Sequence, residues 1–146
     1  MITISLLIFV LLTSLKNEKS EYIDPTGIYK YGRINKNEKK QKYFGEIQVL
    51  ALSKEKIIVS LFLCKGYPSF NNGSFIDTLE YKENKTIYFY PKTSPTCKIY
   101  FNFTKTNLTI KQDSINDDCG FGNGVYADCL MKKTSSLRPK IVDLAR

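Results

Sequence analysis

Cys97-Lys98-Ile99-Tyr100-Phe101-Asn102-Phe103-Thr104-Lys105-Thr106-Asn107-Leu108-Thr109-Ile110-Lys111-Gln112-Asp113 is the stretch on which the fold turns. In its first half Ile99, Phe101 and Phe103 alternate with Lys98, Tyr100 and Asn102. Successive side chains of a strand point to opposite faces, so this period of two marks a half-buried strand. A chain reversal at Lys105-Thr106 sets Phe103 against Leu108 and Phe101 against Ile110, so the apolar faces of the two arms match. The same register puts Cys97 opposite Ser114. This is an antiparallel hairpin with one side turned to a core.

Further segments read the same way outward from this hairpin. They are Gly27 to Gly32, Tyr43 to Leu52, Lys56 to Cys64, Phe75 to Lys82, Thr86 to Tyr90 and Val125 to Lys132. In Tyr43 to Leu52, Ile47, Val49 and Ala51 oppose Glu46 and Gln48. In Val125 to Lys132, Val125, Ala127, Cys129 and Met131 oppose Tyr126, Asp128, Leu130 and Lys132. The links Ser53-Lys54-Glu55, Glu83-Asn84-Lys85 and Lys105-Thr106 have hairpin length. Helix signals are nearly absent, and the ten tyrosines and nine phenylalanines favour strands. The expectation is an all-β antiparallel meander of about eight strands. Closure into a small barrel removes exposed edges and is preferred; a two-sheet sandwich is the alternative.

Residues 1–20 stand apart. Ile2 to Leu12 is almost unbroken apolar sequence, followed by the polar run Lys16-Asn17-Glu18-Lys19-Ser20-Glu21. A bilayer span needs roughly 20 apolar residues, so this run fits a secretory signal instead. No cysteine precedes Cys64, which excludes a lipid-modified cysteine just after the signal. The expected organisation is a signal over 1–20 and one β-barrel domain over 21–146, secreted or periplasmic. An integral membrane protein is not expected once the signal is removed.

Four cysteines in a short exported chain suggest two disulfides. Extended chain covers at most about 3.5 Å per residue, so a turn easily returns Cys119 to Cys97 across the hairpin end. Cys97–Cys119 with Cys64–Cys129 is the favoured pairing; Cys119–Cys129 with Cys64–Cys97 is the rival. Between them the loop Cys119-Gly120-Phe121-Gly122-Asn123-Gly124 lacks the spacing and the following helix of a dinucleotide loop. Asp113, Asn116, Asp117 and Asp118 lack the order of a calcium loop. A tight corner pinned by a disulfide accounts for the glycines.

The 146-residue chain contains no histidine, which removes Ser-His-Asp and Cys-His catalysis and histidine-based metal sites. Asp77 and Glu80 fall on opposite faces of their strand, so they form no acid pair there. A non-enzymatic protein without cofactor or metal is expected. The net charge is +8, but the lysines are spread along the chain, so nucleic acid is not an expected partner. Acceptor sequons occur at Asn72, Asn84, Asn102 and Asn107 and matter in a glycosylating host.

Binding is expected at loop tips, where function concentrates. The loop Lys65 to Ser74 is long for a hairpin and carries Tyr67 and Phe70; a plain crossover at a barrel mouth is the other reading. Tyr67, Phe70, Asn71, Asn72 and Phe121 are the expected contact residues for a protein or glycan.

The segments Gly66-Tyr67-Pro68-Ser69-Phe70-Asn71-Asn72-Gly73-Ser74-Phe75-Ile76-Asp77-Thr78-Leu79 and Cys119 to Asp128, with Lys132-Lys133-Thr134-Ser135-Ser136, resemble a family of small exported Bacteroidetes-type proteins of unassigned activity. The resemblance implies export and no catalytic residue. Where that family has glycine this chain has Cys129, which leaves the pairing of Cys64 and Cys129 open. The architecture is also loosely similar to periplasmic lysozyme inhibitors. The leading expectation is a monomeric, exported binding module for a protein or glycan of the cell envelope. The alternatives are an inhibitor or immunity protein against a cell-wall hydrolase or toxin, and a calycin-like carrier of a small apolar ligand.

Overall fold

The computed structural model describes residues 20–93, 95–114 and 119–144. Eight strands make up the fold: β1 (Gly27–Tyr31), β2 (Phe44–Ala51), β3 (Lys56–Cys64), β4 (Asn72–Glu80), β5 (Lys85–Tyr90), β6 (Cys97–Phe103), β7 (Asn107–Ser114) and β8 (Cys129–Ser135). One short 3-10 turn, Glu38–Lys40, interrupts the lysine-rich loop after β1. The signal expected over 1–20 lies, except for Ser20, outside the described residues, as do Asn116, Asp117 and Asp118.

The β6–β7 hairpin has the register that its alternation dictates: Phe103 faces Leu108, Phe101 faces Ile110 and Cys97 faces Ser114. All strands join antiparallel in one sheet of order β4-β3-β2-β1-β8-β7-β6-β5. The β1–β8 ladder curls the sheet round into a nearly closed barrel. Most boundaries agree with the sequence reading to within a residue, but β4 and β8 are displaced at both ends, β4 ending at Glu80 and β8 at Ser135. β4 starts three residues before Phe75, at Asn72. β8 starts at Cys129 and not at Val125, because the preceding backbone finds other partners. The Val125 amide donates to the Gly122 carbonyl (3.0 Å) and the Ala127 amide to the Gln112 side-chain oxygen (2.9 Å). The inward alternation still holds: Val125, Ala127 and Met131 are buried, while Tyr126, Asp128 and Leu130 are exposed.

Side chains fill the interior. Tyr29, Ile47, Ile57, Leu61, Ile99, Phe101, Phe103, Leu108, Ile110 and Met131 are all essentially inaccessible. Each such apolar side chain contributes about 1.5–3 kcal/mol by leaving water. One end of the barrel is stoppered by tyrosines. Phe103 packs edge-on against Tyr29 (5.8 Å) and Tyr81 (5.6 Å). The Tyr29 hydroxyl donates to the Pro25 carbonyl and the Tyr81 hydroxyl to the Ile23 carbonyl, both at 2.8 Å. The segment before β1 is thereby tied across the barrel end.

The outer face of β2 and β3 is covered as well. Ser60 and Gln48 point away from the core, yet both are buried. The segment after β8 crosses here: the Ser60 hydroxyl donates to the Val142 carbonyl (2.7 Å), and Leu144 borders a surface cleft with Phe44 and Phe62. This explains why β3 is apolar on both faces, as a strand covered on both sides must be.

Candidate functional site

The five loop residues picked from the sequence do assemble, at the barrel end opposite the tyrosine stopper. The Cys97–Cys119 disulfide (Cα–Cα 5.1 Å) anchors the glycine loop to β6. From there the loop lies over the start of β4. The Gly122 amide donates to the Asn72 carbonyl (2.8 Å), and the Asn71 side-chain amide donates to the Asn123 carbonyl (2.7 Å). The half-buried Phe121 ring sits directly over Gly73, where a β-carbon would overlap it. Gly120 has φ +71° and lies against the Tyr90 ring, a conformation and an approach that suit glycine alone. Asn71, Asn72 and Phe121 therefore hold two loops together. Tyr67 and Phe70 project freely, 49% and 37% exposed, and the Asn72 side chain is exposed as well.

The expected Cys64–Cys129 pair is not formed: both cysteines are free. Cys64 ends β3 and turns its thiol to the Phe70 carbonyl (3.7 Å), while Cys129 opens β8 opposite Ile110. Tyr43 lies beside both sulfurs. Burial pushes its hydroxyl well above the ordinary tyrosine range and the two thiols push it further; the hydroxyl donates to the Tyr126 carbonyl (2.7 Å). Burial, then the charge of Asp128, pushes the Cys129 thiol up to about 12. A thiol held protonated in this way is a poor nucleophile.

A second region was not legible from the sequence. β4 and β5 are consecutive and joined by a short turn, yet they are the two edges of the sheet. They share one bridge, Lys82–Lys85, and then splay apart. The seam is closed on the inside by ring stacking of Phe75 on Tyr88, 3.8 Å apart and 5° from parallel. On the outside it remains a groove of about 690 Å³. The groove's floor and walls include Leu79, Thr86, Ile87 and Phe89, with Lys82 and Lys85 at one end.

The two edges are not equivalent. The Tyr81 amide donates to the Glu55 carbonyl on the β3 side. Antiparallel ladders alternate, so the even residues of β4 direct their backbone groups into the seam. Three of those groups are occupied. The Asn72 carbonyl accepts from Gly122, the Thr78 amide donates to the Asp77 carboxylate (2.8 Å), and the Glu80 carbonyl accepts from the Thr86 hydroxyl (2.6 Å). Asp77 also takes the Lys92 ammonium at 2.7 Å. On β5 the Asn84 carbonyl accepts from Phe103 on the β6 side, so Ile87 and Phe89 direct their amides and carbonyls into the seam. Among the described residues these groups have no backbone partner there.

Apolar side chains surround this bare edge. Ile76, Ile87, Phe89 and Tyr100 are 48%, 37%, 39% and 38% exposed on the outer face. Ile87 faces Tyr100 across the ladder and Phe89 faces Lys98. Lys82 and Lys85 stand at one end of the groove and Lys98 beside Phe89 toward the other, and among the described residues none of them makes an ion pair.

No protein-family model, curated protein or solved structure matches this chain.

Proposed function

We propose that this protein is an exported, non-catalytic binding module that holds a macromolecular partner of the cell envelope against the outer face of its β4–β5 seam. One contrast carries the reading. The chain covers the apolar outer face of β2 and β3 with its own C-terminal segment, but leaves Ile76, Ile87, Phe89 and Tyr100 bare beside an open groove. Bare apolar patches bordering a groove are characteristic of interaction surfaces. The packed interior weighs against an interior cargo, as a carrier would need. The Cys97–Cys119 disulfide supports an oxidising compartment, and no helix among the described residues is long and apolar enough to cross a membrane. The inhibitor reading draws its support from Tyr67 and Phe70, which stand out from the opposite loop.

Hydrogen–deuterium exchange separates these readings. The purified protein is compared alone and mixed with the envelope fraction of its source cells. Protection confined to β4, β5 and β6 is the expected result. Protection over 65–72 and 119–127 instead transfers the function to the loops and favours an inhibitor. No protection at either place removes the binding-module reading altogether.

A further inference from the structure

We propose that the β4–β5 seam binds an acidic polypeptide segment in extended form, which adds as a strand to the free edge of β5. This rests on the seam being the partner surface and specifies what that partner offers. Backbone chemistry selects a polypeptide. Ile87 and Phe89 present amides and carbonyls in alternation along β5, with no backbone partner in the seam among the described residues. Only another peptide backbone returns donors and acceptors at the same spacing, the basis of strand addition to a sheet edge. A glycan, a phospholipid surface or a nucleic acid matches the charge but not this ladder.

Side chains select the composition of that segment. Ile87 and Phe89 project outward beside the free edge, so the incoming strand sets every second side chain against them. Apolar residues fit at those positions. Lys82 and Lys85 sit at the hairpin end of the groove, and Lys98 is the ladder neighbour of Phe89. Of the two carboxylates of the groove, Asp77 holds Lys92, and Glu80 has Lys56 as its ladder neighbour on β3, as Lys98 has Asp113 on β7, so the unpaired charge in the groove itself is that of Lys82 and Lys85. Carboxylates on the incoming segment therefore complete the charge balance. The same lysines argue against a second copy of this chain, since a face-to-face dimer brings like charges together.

The guarding of β4 sharpens the choice of edge. Asp77, Thr86 and Gly122 occupy backbone groups of β4 that face the seam. Inward-pointing charge at an edge strand is a common device against unwanted pairing. β5 carries no comparable guard at Ile87 or Phe89, so its edge is the less obstructed of the two, while on β4 only the groups of Ser74 and Ile76 stand similarly clear among the described residues.

The experiment uses the full chain and a synthetic peptide of about eight residues alternating glutamate and valine. Fluorescence anisotropy gives its affinity. Three controls accompany it: the same peptide with alternate amides N-methylated, the corresponding lysine–valine peptide, and vesicles of anionic phospholipid. The expected result is saturable binding of the acidic peptide, at least about tenfold weaker binding of the N-methylated form, and none of the basic one. Phe89→Pro removes an amide that β6 does not use, and should weaken the acidic peptide by a similar factor. Ile87→Ser should also weaken it, by removing apolar contact without adding charge or touching the backbone. Equal binding of the methylated and unmethylated peptides overturns strand addition and leaves only charge attraction. Stronger binding to the vesicles than to the acidic peptide also overturns the proposal and makes the face a membrane-surface contact. Absence of peptide binding together with exchange protection of the seam by the envelope fraction overturns strand addition but leaves the binding-module reading standing. Absence of both removes the two together.

Discussion

Asn84 is the residue on which one end of the molecule is organised. Its side-chain oxygen accepts from the Ile23 amide (2.8 Å) and the Tyr81 hydroxyl (3.3 Å). Its amide donates to the Ser20 hydroxyl (2.9 Å) and the Glu21 carbonyl (2.8 Å). Its φ of 61° lies in the left-handed region, where asparagine is among the best tolerated side chains. Asn84→Ala strips partners from the half-buried Ile23 amide, the Glu21 carbonyl and the Tyr81 hydroxyl and leaves alanine in an unfavourable conformation. A loss of about 2–4 kcal/mol is expected, read as a lower urea midpoint. Asn102→Ala, at an exposed strand position, should change stability by no more than about 0.5 kcal/mol. Equal midpoints for the two variants would show that the Asn84 cluster holds nothing. The sequon at Asn84 is thus closed in the folded protein, while Asn72 and Asn102 stay accessible. The free thiols give a second test at this scale. Unfolding under non-reducing conditions should release two alkylatable cysteines, and native protein at about pH 8 should label Cys129 far more slowly than a free thiol of ordinary pKa. Release of none would restore the Cys64–Cys129 bridge.

Among the elements, the β4 edge is the one whose behaviour depends on a single charge. Asp77 shares the inward side of β4 with Phe75 and Leu79, and its carboxylate holds Lys92 and the Thr78 amide. Asp77→Val converts a guarded edge into an apolar one. Lys92 is largely exposed and loses little, so the monomer should remain folded. Self-association on concentration or mild heating is the expected outcome, followed by light scattering. A variant as monodisperse as the parent would mean that the seam is already blocked by its ring stack. The sequence revealed some of these elements and not others, for physical reasons. The β6–β7 register and the Cys97–Cys119 bond were legible because both follow from local alternation within one hairpin. The splay of β4 from β5 was not, since Glu83-Asn84-Lys85 carries a good turn signal and the separation depends on groups far away in the chain. The run Ile57 to Leu63, apolar but for Ser60, was legible as a strand, but nothing local says that residues near Val142 cover its outer face. Of the expected site, Tyr67 and Phe70 were readable as exposed tips. The loop-pinning contacts of Asn71, Phe121 and the Asn72 carbonyl were not readable because they depend on chain far away in sequence.

The whole molecule answers to alkaline pH through its buried phenols. Burial first, and then neighbouring groups, raises the hydroxyls of Tyr29 and Tyr81 far above their ordinary value of 10.0. Both hydroxyls donate to backbone carbonyls and cannot do so once ionised. In the unfolded chain the same phenols ionise near pH 10, so above that pH the unfolded state binds fewer protons than the folded one. Stability therefore has its full value below about pH 10 and falls as pH rises toward the folded pKa values. The slope reaches about 1.4 kcal/mol per pH unit for each of the two tyrosines. Tyrosinate absorbance should rise in two stages. Part of the rise should come with the fold intact; Tyr29 and Tyr81 follow only as the circular dichroism of the sheet collapses. Tyr81→Phe should lower stability at neutral pH, through its lost hydrogen bonds, and also flatten the alkaline slope. That combination distinguishes a linked proton from general fragility, because a merely weakened fold keeps the parental slope. If all ten tyrosines ionise in one reversible stage while the sheet stays folded, the stopper end is open to water and does not close the barrel.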